Sequence, residues 1–85
     1  MTRFTVTWLE DAQNELAELW LEANDRSAIT SATHAIDREL AEDAASKGED
    51  VSEGLRSLTV PPLRVIFAVS EDDRIVEVMQ AKPSP

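Results

Sequence analysis

Residues 63–69 read Leu63-Arg64-Val65-Ile66-Phe67-Ala68-Val69. Leu63, Val65, Phe67 and Val69 fall on one side of this run, and Arg64, Ile66 and Ala68 on the other. That is the period-two pattern of a strand with one face in a core. Pro61-Pro62 separates it from a second candidate strand, Leu55–Val60, and Glu71-Asp72-Asp73 makes a polar turn before a third, Arg74–Gln80. Connections this short join antiparallel neighbours, so the region predicts a meander. Residues 81–85, Ala-Lys-Pro-Ser-Pro, read as a frayed tail.

Toward the N-terminus, Phe4, Val6 and Trp8 alternate with threonines and predict another strand. The period then lengthens. Leu9, Ala12, Leu16, Leu19, Trp20 and Ala23 recur at helical spacing, with Glu10, Glu15, Glu18 and Glu22 between them, so residues 10–23 predict an amphipathic helix. Asp25 is a good N-cap for a second helix over 26–46, whose inner stripe is Ile29, Ala32, Thr33, Ile36 and Leu40. Lys47-Gly48 ends it. The chain thus reads as one α+β domain, 1–85, in the order β-α-α-β-β-β. A helical hairpin packs on one face of a small, mostly antiparallel twisted sheet. Trp8, Leu16, Leu19, Trp20, Ile36, Leu40, Val65 and Phe67 are the expected core.

Composition narrows the function. The 85 residues contain no cysteine and one histidine, His34, which excludes thiolate and histidine-rich metal sites; no cofactor is expected. No signal peptide or membrane-length apolar run is visible, so a soluble cytoplasmic protein without membrane partners is expected. The net charge of −9 argues against general nucleic-acid binding. Thirteen of the carboxylates and only four basic side chains lie in residues 1–53, whereas residues 54–85 are neutral. The acidity belongs to the helical part.

Several stretches together resemble the RelE/ParE toxins of bacterial type II toxin–antitoxin pairs, a plasmid-stabilisation family. They are the opening strand ending in Trp8, then Leu16-Ala17-Glu18-Leu19-Trp20, and Ala35-Ile36-Asp37 with Leu40 running to Lys47-Gly48-Glu49. Gly54-Leu55-Arg56-Ser57-Leu58 and Pro62–Val69 complete the set, and the resemblance spans roughly residues 3–80. It implies the same architecture, an antitoxin partner and inhibition of growth. It also implies one of two targets: messenger RNA on the ribosome, cut without a metal, or DNA gyrase, poisoned without hydrolysis.

In the RNA-cutting branch a ribose 2′-hydroxyl attacks the adjacent phosphate, which requires a base, an acid and cations. The resemblance places Arg64 as the principal phosphate ligand, with Arg56 and Lys82 beside it as candidate catalytic cations. Guanidinium suits this role because it grips phosphate through paired hydrogen bonds. Strict alternation, however, puts Arg56 on the same side as Leu58 and Val60, so joining Arg64 needs a bulge near Gly54.

The chain also departs from the RNA-cutting pattern. Leu58 and Val60 stand where lysines are usual, Ala44 replaces a helix-end proline, no tyrosine is present, and the last strand is followed by Ala81-Lys82. These departures favour a noncatalytic binding module over a complete nuclease. The charge adds an expectation about the partner. An acidic antitoxin would be repelled by the helices, so either the partner brings a basic segment to them or it covers the sheet face. The reading favours the sheet, where Ile66 and Ala68 flank Arg64.

Overall fold

Alternation at residues 63–69 produces the middle strand of the sheet, and everything else is arranged around it. The computed structural model describes residues 3–84. Its elements are β1 (Thr5–Trp8), α1 (Glu10–Glu22), α2 (Arg26–Asp43), a 3-10 turn (Ala44–Ser46), β2 (Glu49–Ser52), β3 (Leu55–Val60), β4 (Leu63–Ser70) and β5 (Ile75–Pro83). The sheet order is β1-β5-β4-β3-β2. β1 runs parallel to β5, and all other neighbours are antiparallel. The α+β class and the two-helix layer are as the sequence predicts.

Three expectations are corrected. An additional strand, β2, precedes the meander, so the order is β-α-α-β-β-β-β. Its residues Glu49-Asp50-Val51-Ser52 show no apolar alternation because all four are exposed at the sheet's edge. The α-helical part of α2 stops at Asp43, and the last turn tightens into the 3-10 segment. Residues 81–83 do not fray: they continue β5, and Ala81 is buried.

The helices start and stop for local reasons. Glu10 and Asp11 occupy the positive first turn of α1. The Asp25 side chain accepts the Ala28 N–H at 3.1 Å, making it the N-cap of α2. Arg26 reaches back to the carbonyls of Trp20 and Leu21, satisfying the C-terminal end of α1. The two helices pack on the sheet side bearing Leu63, Val65 and Phe67. Those three join Ile36, Leu40, Val76 and Val78 with no exposed surface. Trp8, Leu16 and Leu19 pack on this core half-buried. Trp8 also donates its indole N–H to Asp37 at 2.7 Å, tying β1 to α2. Trp20 departs from expectation and remains 40% exposed.

Candidate functional site

Register decides which cations share a face. Paired residues on neighbouring strands point the same way. Arg64 of β4 pairs with Thr59 of β3 and with Lys82 of β5, so all three lie on the open face away from the helices. Arg64 and Lys82 are direct cross-strand neighbours, with Cα atoms about 5 Å apart in such a pair.

Lys82 reaches that face only because of a bulge. Phe67 pairs with Val78 while the next residue back, Ile66, pairs with Gln80, so Met79 is extra. Without the extra residue, alternation from buried Val76 and Val78 would carry Lys82 toward the core. With it, Ala81 turns inward and Lys82 outward.

Arg56 is not part of this grouping. It pairs with Phe67 and therefore faces the helical layer. Its Nε donates to the Lys47 carbonyl at 2.8 Å, one terminal nitrogen to Gly48 O at 3.0 Å and the other to the Asp50 carboxylate at 2.6 Å. The register irregularity near it lies in β2, between Asp50 and Ser52, and leaves the facing of β3 unchanged. Arg56 staples the α2–β2 connection to β3. Replacing it with alanine is expected to cost about 1–2 kcal/mol, from partly exposed hydrogen bonds. Thermal unfolding checks this.

Arg64 is free to act. It is half-buried, and among the described residues it pairs with no carboxylate. Lys82 is already balanced, because its ammonium pairs with Glu15 of α1. Glu15 also accepts the Ala81 N–H at 3.1 Å. β1 ends at Trp8, so this part of β5 has no strand on the side away from β4, and Glu15 closes that exposed edge. Sequence reasoning treats Glu15 as one of several solvated glutamates, and no spacing signal distinguishes it.

Lys82 holds the Glu15 carboxyl below its ordinary range, chiefly through the direct hydrogen bond. Partial burial opposes this and the Ala81 N–H adds to it. A carboxyl lowered on folding contributes stability above its unfolded pKa and loses it as pH falls through the folded one. Part of the stability should therefore vanish on acidification below about pH 4.5, the ordinary value for glutamate. Glu15→Gln should flatten that loss while costing about 1 kcal/mol at neutral pH. Denaturant titrations at several pH values measure both effects.

No histidine or tyrosine shares the open face. His34 is exposed on α2, and tyrosine is absent from the chain. Glu77 is on that face but pairs with Ala68, four positions along β4 from Arg64. A general base must lie within about 3 Å of the proton it removes, or one water away. The site as built can bind and orient an anion.

No family model matches the sequence, and no curated protein matches it. Solved structures do match the fold. A chain of the RelBE2 toxin–antitoxin complex from Mycobacterium tuberculosis superposes with a TM-score of 0.82 at 14% identity, over 99% of this chain and 94% of that one. The fold is that of the RelE/ParE toxins. The chromosomal ParDE toxin–antitoxin system of P. aeruginosa gives 0.70 at 16% identity, over 98% of both chains. The isolated E. coli RelE toxin gives 0.68 at 10% identity, over 96% of this chain and 85% of that one. A RelE/ParE fold thus carries an acidic helical layer here, with its Arg64–Lys82 pair on the uncovered face.

Proposed function

We propose that the protein is the toxin component of a type II toxin–antitoxin pair and acts by binding a phosphate-bearing target on the open sheet face. The observation that carries this reading is the Arg64–Lys82 pair, set side by side by a bulge on the one broad face the helices leave open. The Arg64 guanidinium supplies paired contacts to phosphate, and the Lys82 ammonium, held by Glu15, adds charge beside it. The fold likeness to RelE and ParE structures supports the toxin class. Several of those structures are toxin–antitoxin complexes, which supports an antitoxin as partner.

Binding without cleavage fits the residues better than ribonuclease action. The one carboxylate beside these cations, Glu15, is tied to Lys82 and the Ala81 N–H and held below its ordinary range, which makes it a poor base, and Arg56 is spent on the β2 connection. A ribosome-bound message or a gyrase–DNA complex would each present the required phosphates.

The test is induced expression in a bacterial host, with growth and messenger integrity followed together. Arrested growth with intact messages is the expected result. Arrest accompanied by cut messages would overturn the noncatalytic reading, and unimpaired growth would overturn the toxin reading.

A further inference from the structure

Lys82 stands in a divided position. Its register points it to the open face beside Arg64, yet its ammonium pairs with Glu15. Glu15 belongs to α1, whose Ala12 packs in the core on the other side of the sheet. The lysine stem therefore bends around the edge of β5, past Trp8, where β1 no longer covers it. A flexible four-carbon stem permits this. Glu15 is fixed more firmly, because its other carboxylate oxygen accepts the Ala81 N–H at 3.1 Å. The carboxylate is anchored to the edge and draws the ammonium toward itself.

The charges near Arg64 then have a definite balance. Arg64 and Lys82 by themselves would offer two positive charges to an anion. With the Glu15 carboxylate on Lys82, the group carries one. Glu49 and Glu77 share the open face but stand roughly 12–13 Å from Arg64 by strand rise and spacing. That exceeds the screening length of physiological salt, about 8 Å. Asp11 and Glu18 line the cleft between α1 and β5 with Glu15, and among the described residues neither pairs with Lys82. Ligands differ in the same quantity. A phosphodiester of a nucleic-acid backbone carries one negative charge, and a terminal phosphate monoester carries about two at neutral pH.

We propose that Glu15 withholds Lys82 from the anion at Arg64 and so matches the site to a backbone phosphodiester rather than a terminal phosphate monoester. The guanidinium alone grips the diester's two free oxygens through paired hydrogen bonds. Neutralising a monoester's second charge requires Lys82 to leave Glu15, and the freed carboxylate then repels the dianion. Glu15 is a positioning residue that acts through Lys82 and does not touch the ligand. The inference rests on the proposed anion site and adds which phosphate that site takes.

The test compares two probes by NMR titration of the whole protein: the dinucleotide thymidylyl-thymidine, with one internal diester and no terminal phosphate, and thymidine 5′-monophosphate. Amide shifts at Arg64 and Lys82 report binding at about pH 7.5, where the monoester is close to doubly charged. The wild-type protein should prefer the dinucleotide. Glu15→Gln should move the ratio of affinities roughly fivefold toward the monophosphate, the worth of an exposed ion pair. Glutamine still accepts the Ala81 N–H, so the edge stays closed, and circular dichroism verifies the fold. Adding Lys82→Gln to that variant restores a single charge, and the ratio should return with it. Glu18→Gln removes a neighbouring carboxylate that does not hold Lys82, and should move the ratio far less.

Arg64→Ala should abolish binding of both probes. Binding that ignores Arg64, or no binding at all, refutes the anion site and the inference together. Three results with Arg64-dependent binding refute the role of Glu15 alone. They are a wild-type preference for the monophosphate, a ratio that Glu15→Gln leaves unchanged, and an equal shift from Glu18→Gln.

Discussion

Arg64→Ala is expected to abolish growth inhibition while leaving the protein folded. A hydrogen bond to a charged group contributes about 1.5–3 kcal/mol, so losing the guanidinium should weaken target binding by roughly one to two orders of magnitude. The fold should hardly notice. Arg64 points away from the helical layer, and among the described residues it forms no ion pair. Lys82 keeps its Glu15 partner when the guanidinium is removed. Arg64→Lys should keep part of the effect, because ammonium retains the charge and loses the paired geometry. Growth curves of induced cells, with thermal melts of the purified variants, measure the two consequences separately. Undiminished inhibition by a folded Arg64→Ala protein would remove this residue from the mechanism.

Gly48→Ala is expected to be the most damaging small substitution in the chain. Gly48 has φ +71, a left-handed conformation that costs an alanine about 1 kcal/mol. A methyl there would also be driven into the Ser57 carbonyl of β3, which belongs to the backbone and cannot swing aside. Such overpacking adds about 1–3 kcal/mol. Together these predict a fall in melting temperature of about 10–20 °C for a domain of this size. Gly54 supplies the control. Its φ is +79, but an added Cβ meets open space, so Gly54→Ala should show only the conformational part. Equal melting temperatures for the two variants would refute the steric account.

Legibility of the fold in the sequence followed burial. Leu63, Val65 and Phe67 alternate because one side of β4 is sealed by helices, and that alternation was sufficient to place the sheet. β2 left no such trace: Glu49 to Ser52 make backbone hydrogen bonds at an exposed edge, where any polar sequence serves. Trp20 sits in the apolar phase of α1 yet lines a groove, since periodicity reports which way a residue points and not whether anything covers it. For the candidate site, Arg64 was legible and its neighbours were not. Arg56 follows simple alternation onto the helical side. Lys82 is brought to Arg64 by one extra residue at Met79, and a bulge of that kind has no compositional marker here.

The parallel pairing of β1 with β5 also governs when the domain can form. Within this sheet β1 is synthesised before the other strands and β5 after them, with Thr5 lying beside Ile75 and Trp8 beside Val78. Closing a contact across so much chain is slow, since loop entropy is lost before the pairing returns any stability. A nascent chain therefore carries β1 and both helices without the strand that completes their core. Val76, Val78 and Ala81, all buried, arrive only at the end. Neither the Arg64–Lys82 pair nor the clasp on β5 exists until then. Whatever this surface does to a cell, it begins only after the ribosome has finished β5.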